Sequence, residues 1–169
     1  MLQRSERPFQ GSSYQLAGAG LSLEPIDGVA ASEIAAIVSS IDPWRTLRGA
    51  PDKLVTYFME ADEHSCRRLI RYQAKCAGVV GIRYPWLYGP YLAMLAVFPA
   101  YQRAGIGSAI LQWIEGEAKA TSANVWACVS SFNIRAGSFY ERHGYQQVGT
   151  LEDLLQDGFA ERLLRKRLQ

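Results

Sequence analysis

This sequence has no metal-ligand spacing, no disulfide pattern, no strong charge excess and no long apolar run. Its three cysteines, Cys66, Cys76 and Cys128, make neither a CxxC pair nor a Cys/His cluster. Their odd number and wide separation argue against a disulfide framework, so they read as reduced, mostly buried thiols of a cytoplasmic protein. His64 and His143 are the only histidines, and no metal is expected. Net charge is only +2, with 18 basic against 16 acidic residues. That balance requires no broad basic face, so nucleic acid is not an expected partner, while a small basic patch for a phosphorylated ligand stays open. No apolar stretch approaches the ~20 residues needed to span a bilayer, and no membrane partner is expected. The opening MLQRSERPFQGSSYQLAGAG also lacks the continuous apolar core of a signal peptide. Its Gly, Ser and Gln content predicts a flexible lead-in over residues 1–20, ahead of a domain at 21–169.

What is present suits one domain with a sizeable core: 169 residues, 49% of them hydrophobic. LSLEPID (Leu21–Asp27) alternates and predicts a first strand. Ile34, Ile37, Val38 and Ile41 repeat at helical spacing, and Pro51 suits the first turn of a second helix carrying Leu54, Tyr57, Phe58 and Ala61. CRRLIRYQ and CAGVVGIRYPW predict two strands joined as a hairpin near "AK". YLAMLAVF is almost wholly apolar, as a strand covered on both faces should be. NVWACVS and QQVGT predict further strands. AERLLRKRL is read as a strand or a short C-terminal helix. With no repeats and no linker past Gly20, the fold class is α+β, helices packed on a mixed sheet in α/β/α layers.

One stretch stands apart: AVFPAYQRAGIGSAI, Ala96–Ile110. Two glycines, Gly105 and Gly107, open an apolar-periodic helix, although glycine costs about 1 kcal/mol per residue relative to alanine in a helix. The first four N–H groups of a helix have no partner within it and lie at its positive end. Glycines there leave those groups open to an anion, above all a pyrophosphate. The P-loop pattern fails, because no lysine follows Gly107. The dinucleotide pattern fails too, because Ile110 stands where a third glycine or alanine belongs.

The longer string AVFPAYQRAGIGSAIL resembles the acetyl-coenzyme A signature of the GCN5-related N-acetyltransferase (GNAT) superfamily, Q/R-x-x-G-x-G/A after a strand ending in apolar-Val-x-Pro. Gln102, Arg103, Ala104, Gly105, Ile106, Gly107 and Ser108 fall on it without a gap. A second family element, about thirty residues on, is similar to SSFNIRAGSFYERHGY, through Asn133, Ala136, Tyr140, Glu141, Gly144 and Tyr145. The resemblance implies a single GNAT domain whose parallel central strands, YLAMLAVF and NVWACVS, splay apart, with helices on both faces. It implies acetyl-CoA as co-substrate, its pantetheine arm paired with backbone near Leu95, Ala96 and Val97. A Val97 N–H would polarise the thioester carbonyl. Gln102 and Arg103 would border the phosphates, though a turn arginine is otherwise simply solvated. Ile106 would serve mainly as packing.

Asn133, at a helix start, is read as a cap, and the resemblance adds a hydrogen bond to the pantetheine arm. Tyr140 is read as a core aromatic or, by the resemblance, as the catalytic proton donor to the departing thiolate. A tyrosine of pKa about 10 can serve a thiol of about 8.5 in that way. Gly144 predicts a left-handed helix end, with His143 part of that end.

The sequence departs from the family over the base. Where the branch that acetylates protein N-termini carries a glutamate, Cys128 stands, read as a small buried hydrophobe with a base or nucleophile as the rival. Glu24, Glu60, Glu152 and Asp153 are candidate proton acceptors by type alone. Tyr84, Trp86, Tyr88 and Tyr91 form either an aromatic wall for the acceptor or a hairpin packed on the core.

The function expected is acetyl transfer to a primary amine of a small molecule or peptide, by direct attack in a ternary complex. Two rivals stay open, an acyl-CoA-binding sensor without catalysis and a ribosomal-protein-type N-terminal acetyltransferase. A homodimer also stays open.

Overall fold

The computed structural model describes residues 7–17 and 20–168. Eight strands and four α-helices are present among them. Their contacts separate into two compact units, each discontinuous in sequence.

The first unit comprises the described residues of Met1–Pro25, Glu63–Val125 and Arg167–Gln169. Its strands are β1 (Tyr14–Gln15), β2 (Leu21–Glu24), β3 (Ser65–Tyr72), β4 (Lys75–Trp86) and β5 (Gly89–Val97), laid side by side in that order. Each pairs antiparallel with the next. The β3–β4 hairpin is closed by Gln73 and Ala74, both at positive φ (48° and 63°), as the tight turns that match strand twist require. Leu87 and Tyr88 close β4–β5 in the same way (38° and 59°). A short turn, Pro99–Tyr101, then leads to α3 (Ile106–Ala118), whose buried stripe is Ile106, Ile110, Leu111, Ile114 and Ala118.

Two features differ from expectation. β5 is buried on one face and only partly covered on the other. Leu92, Met94 and Ala96 are buried, while Ala93 is exposed and Tyr91, Leu95 and Val97 are half-buried. An apolar run therefore marks an alternating strand here, not a doubly covered one.

The second difference lies in the expected lead-in, of which residues 1–6 and 18–19 fall outside the described residues. Within 7–17, Phe9 is 4% exposed, its ring 6.0 Å from Tyr84 and 5.5 Å from Trp113. The Tyr14 ring lies 4.8 Å from that of Trp113, tilted by 60°. The Phe9 N–H donates to Glu117 (3.2 Å), and Arg68 donates to the Gly11 carbonyl (2.7 Å). Two aromatics five residues apart hold a segment whose polar composition reads as loose.

The second unit comprises Ile26–Asp62 and Trp126–Lys166. It contains α1 (Gly28–Ser40), α2 (Pro51–Met59), most of β6 (Asn124–Ser130), α4 (Ile134–Arg142), β7 (Gln146–Glu152) and most of β8 (Ala160–Arg167). Asp27 caps α1, its carboxylate accepting the Ala30 N–H at 2.8 Å. The buried face of α1 is Ala31, Ile34, Ala35 and Val38; Ile37 is exposed and Ile41 is already the C-cap. Pro51 begins α2, which buries Leu54 and Phe58 but not Tyr57 or Ala61. The strands run β6-β8-β7, so the C-terminal stretch takes the strand alternative, not the helix. Pairing with β7 from Gln146↔Arg165 to Glu152↔Ala160 secures it there.

Candidate active site

The first-unit site begins where β5 ends. Arg103 and Gly105 both take left-handed backbone, at φ 69° and 78°. Gly105 is the N-cap of α3 and offers no side chain to it. The first bond of the helical ladder runs from the Ala109 N–H to the Gly105 carbonyl (3.1 Å), so the amides of Ile106, Gly107 and Ser108 precede the ladder. A Cβ built on Gly105 would meet nothing within 4 Å. Gly105 thus answers two demands: a left-handed turn, and open space over the positive end of a helix. That cradle suits a diphosphate such as the one coenzyme A carries. Ile106 is buried in the core as packing, whereas Gln102, Arg103 and Ala104 are exposed and Gly107 and Ser108 half-buried.

Gln102 turns back instead of outward. Its side-chain amide donates to the Val97 carbonyl at 3.0 Å. The Phe98 N–H bonds to Ala77 of β4. Backbone groups alternate along a strand, so the N–H of Val97 and of Leu95 lies on the edge of β5 facing away from β4. Ala96, between them, packs its carbonyl against Gly78, where a side chain would collide.

In the second unit, Asn133 caps α4. Its Oδ1 accepts the Ala136 N–H at 3.2 Å. Tyr140, two turns on, is 7% exposed, with ring centres 5.3 Å from Phe139 and 5.4 Å from Tyr145. Burial pushes its phenol well above the ordinary value, with the nearby Cys128 thiol adding to the effect. A phenol so placed keeps its proton at ordinary pH. Gly144, at φ 83°, ends the helix, and the His143 Nδ1–H donates to the Phe139 carbonyl at 2.8 Å. His143 is thereby tied into the helix end.

The sequence reading missed Glu161. It is 3% exposed, and the Ser130 hydroxyl donates to it at 2.5 Å. Burial raises its carboxyl above the usual carboxylate range, and the Ser130 bond pulls it partly back. The buried positions of β8, Glu161 and Leu164, are three apart. That spacing hides both the strand and the inward carboxylate. Of the four carboxylates singled out by type, Glu24 pairs with Arg71 at 2.8 Å, Asp153 accepts the Gly158 N–H, and Glu60 and Glu152 are exposed.

The aromatic cluster divides. Tyr84 packs on Phe9, Trp86 stacks on Tyr91 at 4.8 Å, and Tyr88 stands 90% exposed at the hairpin tip. Cys66 is buried and Cys76 and Cys128 are half-buried, none in a disulfide. Among the described residues no group of three or more His, Cys, Asp or Glu is placed to hold a metal, and no helix is long and apolar enough to cross a membrane.

The family model for the acetyltransferase (GNAT) family matches residues 34–145. The chain belongs to that family. Solved structures agree with its α/β fold. An acetyltransferase from Thermus thermophilus matches with a TM-score of 0.70 at 18% identity, over 88% of this chain and 97% of that one. The microcin C7 self-immunity acetyltransferase MccE, solved with acetyl-CoA and AMP, matches at 0.71 and 14% identity, over 89% and 94%. The ribosomal-protein-S18-alanine N-acetyltransferase from Escherichia coli matches at 0.67 and 17% identity, over 88% and 94%. No curated relative matches the sequence.

Proposed function

We propose that this protein transfers an acetyl group from acetyl-CoA to a primary amine of a small molecule or peptide, by direct attack in a ternary complex. The observation that carries this reading is the uncapped start of α3, with open space over Gly105 immediately after β5. The amides of Ile106, Gly107 and Ser108 would hold the diphosphate, with Arg103 and Ala104 at its border. Gln102 would hold the turn. Leu95, Ala96 and Val97 would present backbone to the pantetheine arm, and the Val97 N–H would stabilise charge developing on the thioester oxygen. Asn133 would reach the same arm while capping α4. Tyr140, kept neutral by burial, would protonate the departing sulfur. The acetyl thioester supplies the activated acyl group.

MccE was solved with acetyl-CoA, which supports that donor. The named neighbours include one acting on a ribosomal protein, which supports a peptide acceptor beside small amines. The test is thiol release from acetyl-CoA over a panel of peptide and small-molecule amines. Turnover on at least one of them is expected. Full acetyl-CoA affinity with no turnover on any amine would favour the sensor instead.

A further inference from the structure

Two unfavourable features meet at one place on α4. Gly137 stands inside that helix, where glycine is a poor residue. A Cβ built there would land on the guanidinium of Arg162 from β8, so only glycine leaves room for it. The Arg162 Nε is buried and has no hydrogen-bond partner among the described residues, which is a cost as well. The rest of the guanidinium is well held. Its Nη1 donates to the Glu141 carboxylate at 3.2 Å, and the Arg162 backbone pairs with Thr150 of β7. A fold that carries both costs gains a fixed guanidinium on the flank of α4.

That flank belongs to the helix that carries Tyr140. Gly137 and Glu141 are four residues apart and share one face. Tyr140 is three residues past Gly137 and directly precedes Glu141, so the two seats of the guanidinium bracket the point where the phenol leaves the helix. Alternate residues of a strand also share a face, so Arg162 and Lys166 look the same way. The Lys166 ammonium lies 5.9 Å from the Tyr145 ring centre, and that ring is 5.4 Å from Tyr140. β8 therefore meets the surroundings of Tyr140 at two points.

We infer that Arg162 is a positioning residue for Tyr140: seated in the Gly137 notch and tied to Glu141, it fixes α4 so that the phenol is presented to the departing sulfur. The inference rests on the acetyl-transfer reading, in which Tyr140 is the proton donor. A proton donor must stand within hydrogen-bond reach of its acceptor, and a small misplacement of a reacting group is felt strongly in rate.

The test is a double-mutant cycle between Arg162 and Tyr140. Arg162→Met keeps an apolar stem and removes the guanidinium. Turnover is read as CoA release from acetyl-CoA, and acetyl-CoA binding is followed by calorimetry. The amine source is a mixture of hexapeptides covering every N-terminal residue, with spermidine added. Arg162→Met is expected to hold acetyl-CoA affinity within about two-fold and to lose about 10-fold in turnover. In a Tyr140→Phe background the same change is expected to lower turnover by less than about two-fold, because the hydroxyl it places is gone. A residue that only supports the fold gives the same loss in both backgrounds. Equal losses in the two backgrounds, or full turnover by Arg162→Met, overturn the inference and leave the transfer reading intact. Full turnover by Tyr140→Phe overturns the inference together with the proton-donor role of Tyr140. Acetyl-CoA binding without turnover by the unsubstituted protein overturns both the inference and the transfer reading. If Arg162→Met does not fold by circular dichroism, Gly137→Ala decides, since it favours the helix but displaces the guanidinium. A loss of about 10-fold that vanishes in the Tyr140→Phe background is then expected. No loss, or an equal loss in both backgrounds, overturns the inference.

Discussion

The Gln102 side-chain amide donates to the Val97 carbonyl at 3.0 Å. That bond ties the turn ahead of α3 to the last residue of β5. It makes Gln102 a brace between two backbone surfaces, at the turn where the motif suggested a border for the phosphates. Gln102→Ala is expected to weaken acetyl-CoA binding about five-fold, from the loss of about 1 kcal/mol in one hydrogen bond. Gln102→Glu should weaken it further, because a carboxylate cannot donate to a carbonyl and repels the diphosphate. Calorimetric titration checks both.

Tyr140→Phe removes only the hydroxyl. Turnover is expected to fall by about 10²-fold or more, as for loss of a general acid, with acetyl-CoA affinity unchanged. The phenol is raised by burial first and by Cys128 second. Wild-type activity should therefore show no loss from phenol ionisation at pH 9 or 10, near the ordinary tyrosine value of about 10. A pH–rate profile of the two proteins tests this.

Glu161 carries a pH signature in stability. Its folded-state value lies above the unfolded one, chiefly through burial. The stability it contributes is whole below about pH 4.3, the ordinary glutamate value, and is lost as pH rises through the raised folded value. Glu161→Gln lacks that loss. Urea melts across this window are expected to show the variant gaining on the wild type as pH rises, then levelling.

Phe9→Ala leaves a hole against Tyr84 and Trp113. The cost expected is about 3 kcal/mol, at the lower end for a buried phenylalanine. Urea unfolding gives the value; a cost within a few tenths of zero would show that the segment is dispensable.

The elements were legible where periodicity and punctuation agree. Pro51 opens α2, Asn133 caps α4, Gly144 ends it, and the β3–β4 hairpin turns just before Lys75. The glycine turn was legible because Gly105 answers a backbone demand and an access demand together. The rest lay in pairings that no local pattern encodes. Phe9 and Tyr14 sit in a polar stretch and gain their place against distant rings, Trp113 for both and Tyr84 for Phe9. Glu161 looked like one charge among many in AERLLRKRL. Its character comes from burial, with Ser130, 31 residues away in sequence, bonded to it. β5 looked doubly covered because hydrophobicity records what a strand tolerates, not what its neighbours cover.

The amides of the first turn of α3 are expected to hold the diphosphate. Gly107→Val places a branched side chain in that first turn at a helical position, sparing the left-handed Gly105. The variant and wild type are titrated with acetyl-CoA and with acetyl-pantetheine, which lacks the diphosphate. Acetyl-CoA affinity is expected to fall by about 10-fold or more, roughly 1.4 kcal/mol, while acetyl-pantetheine binding is unchanged. Undiminished acetyl-CoA affinity in a folded variant, or an equal fall for both ligands, would contradict it.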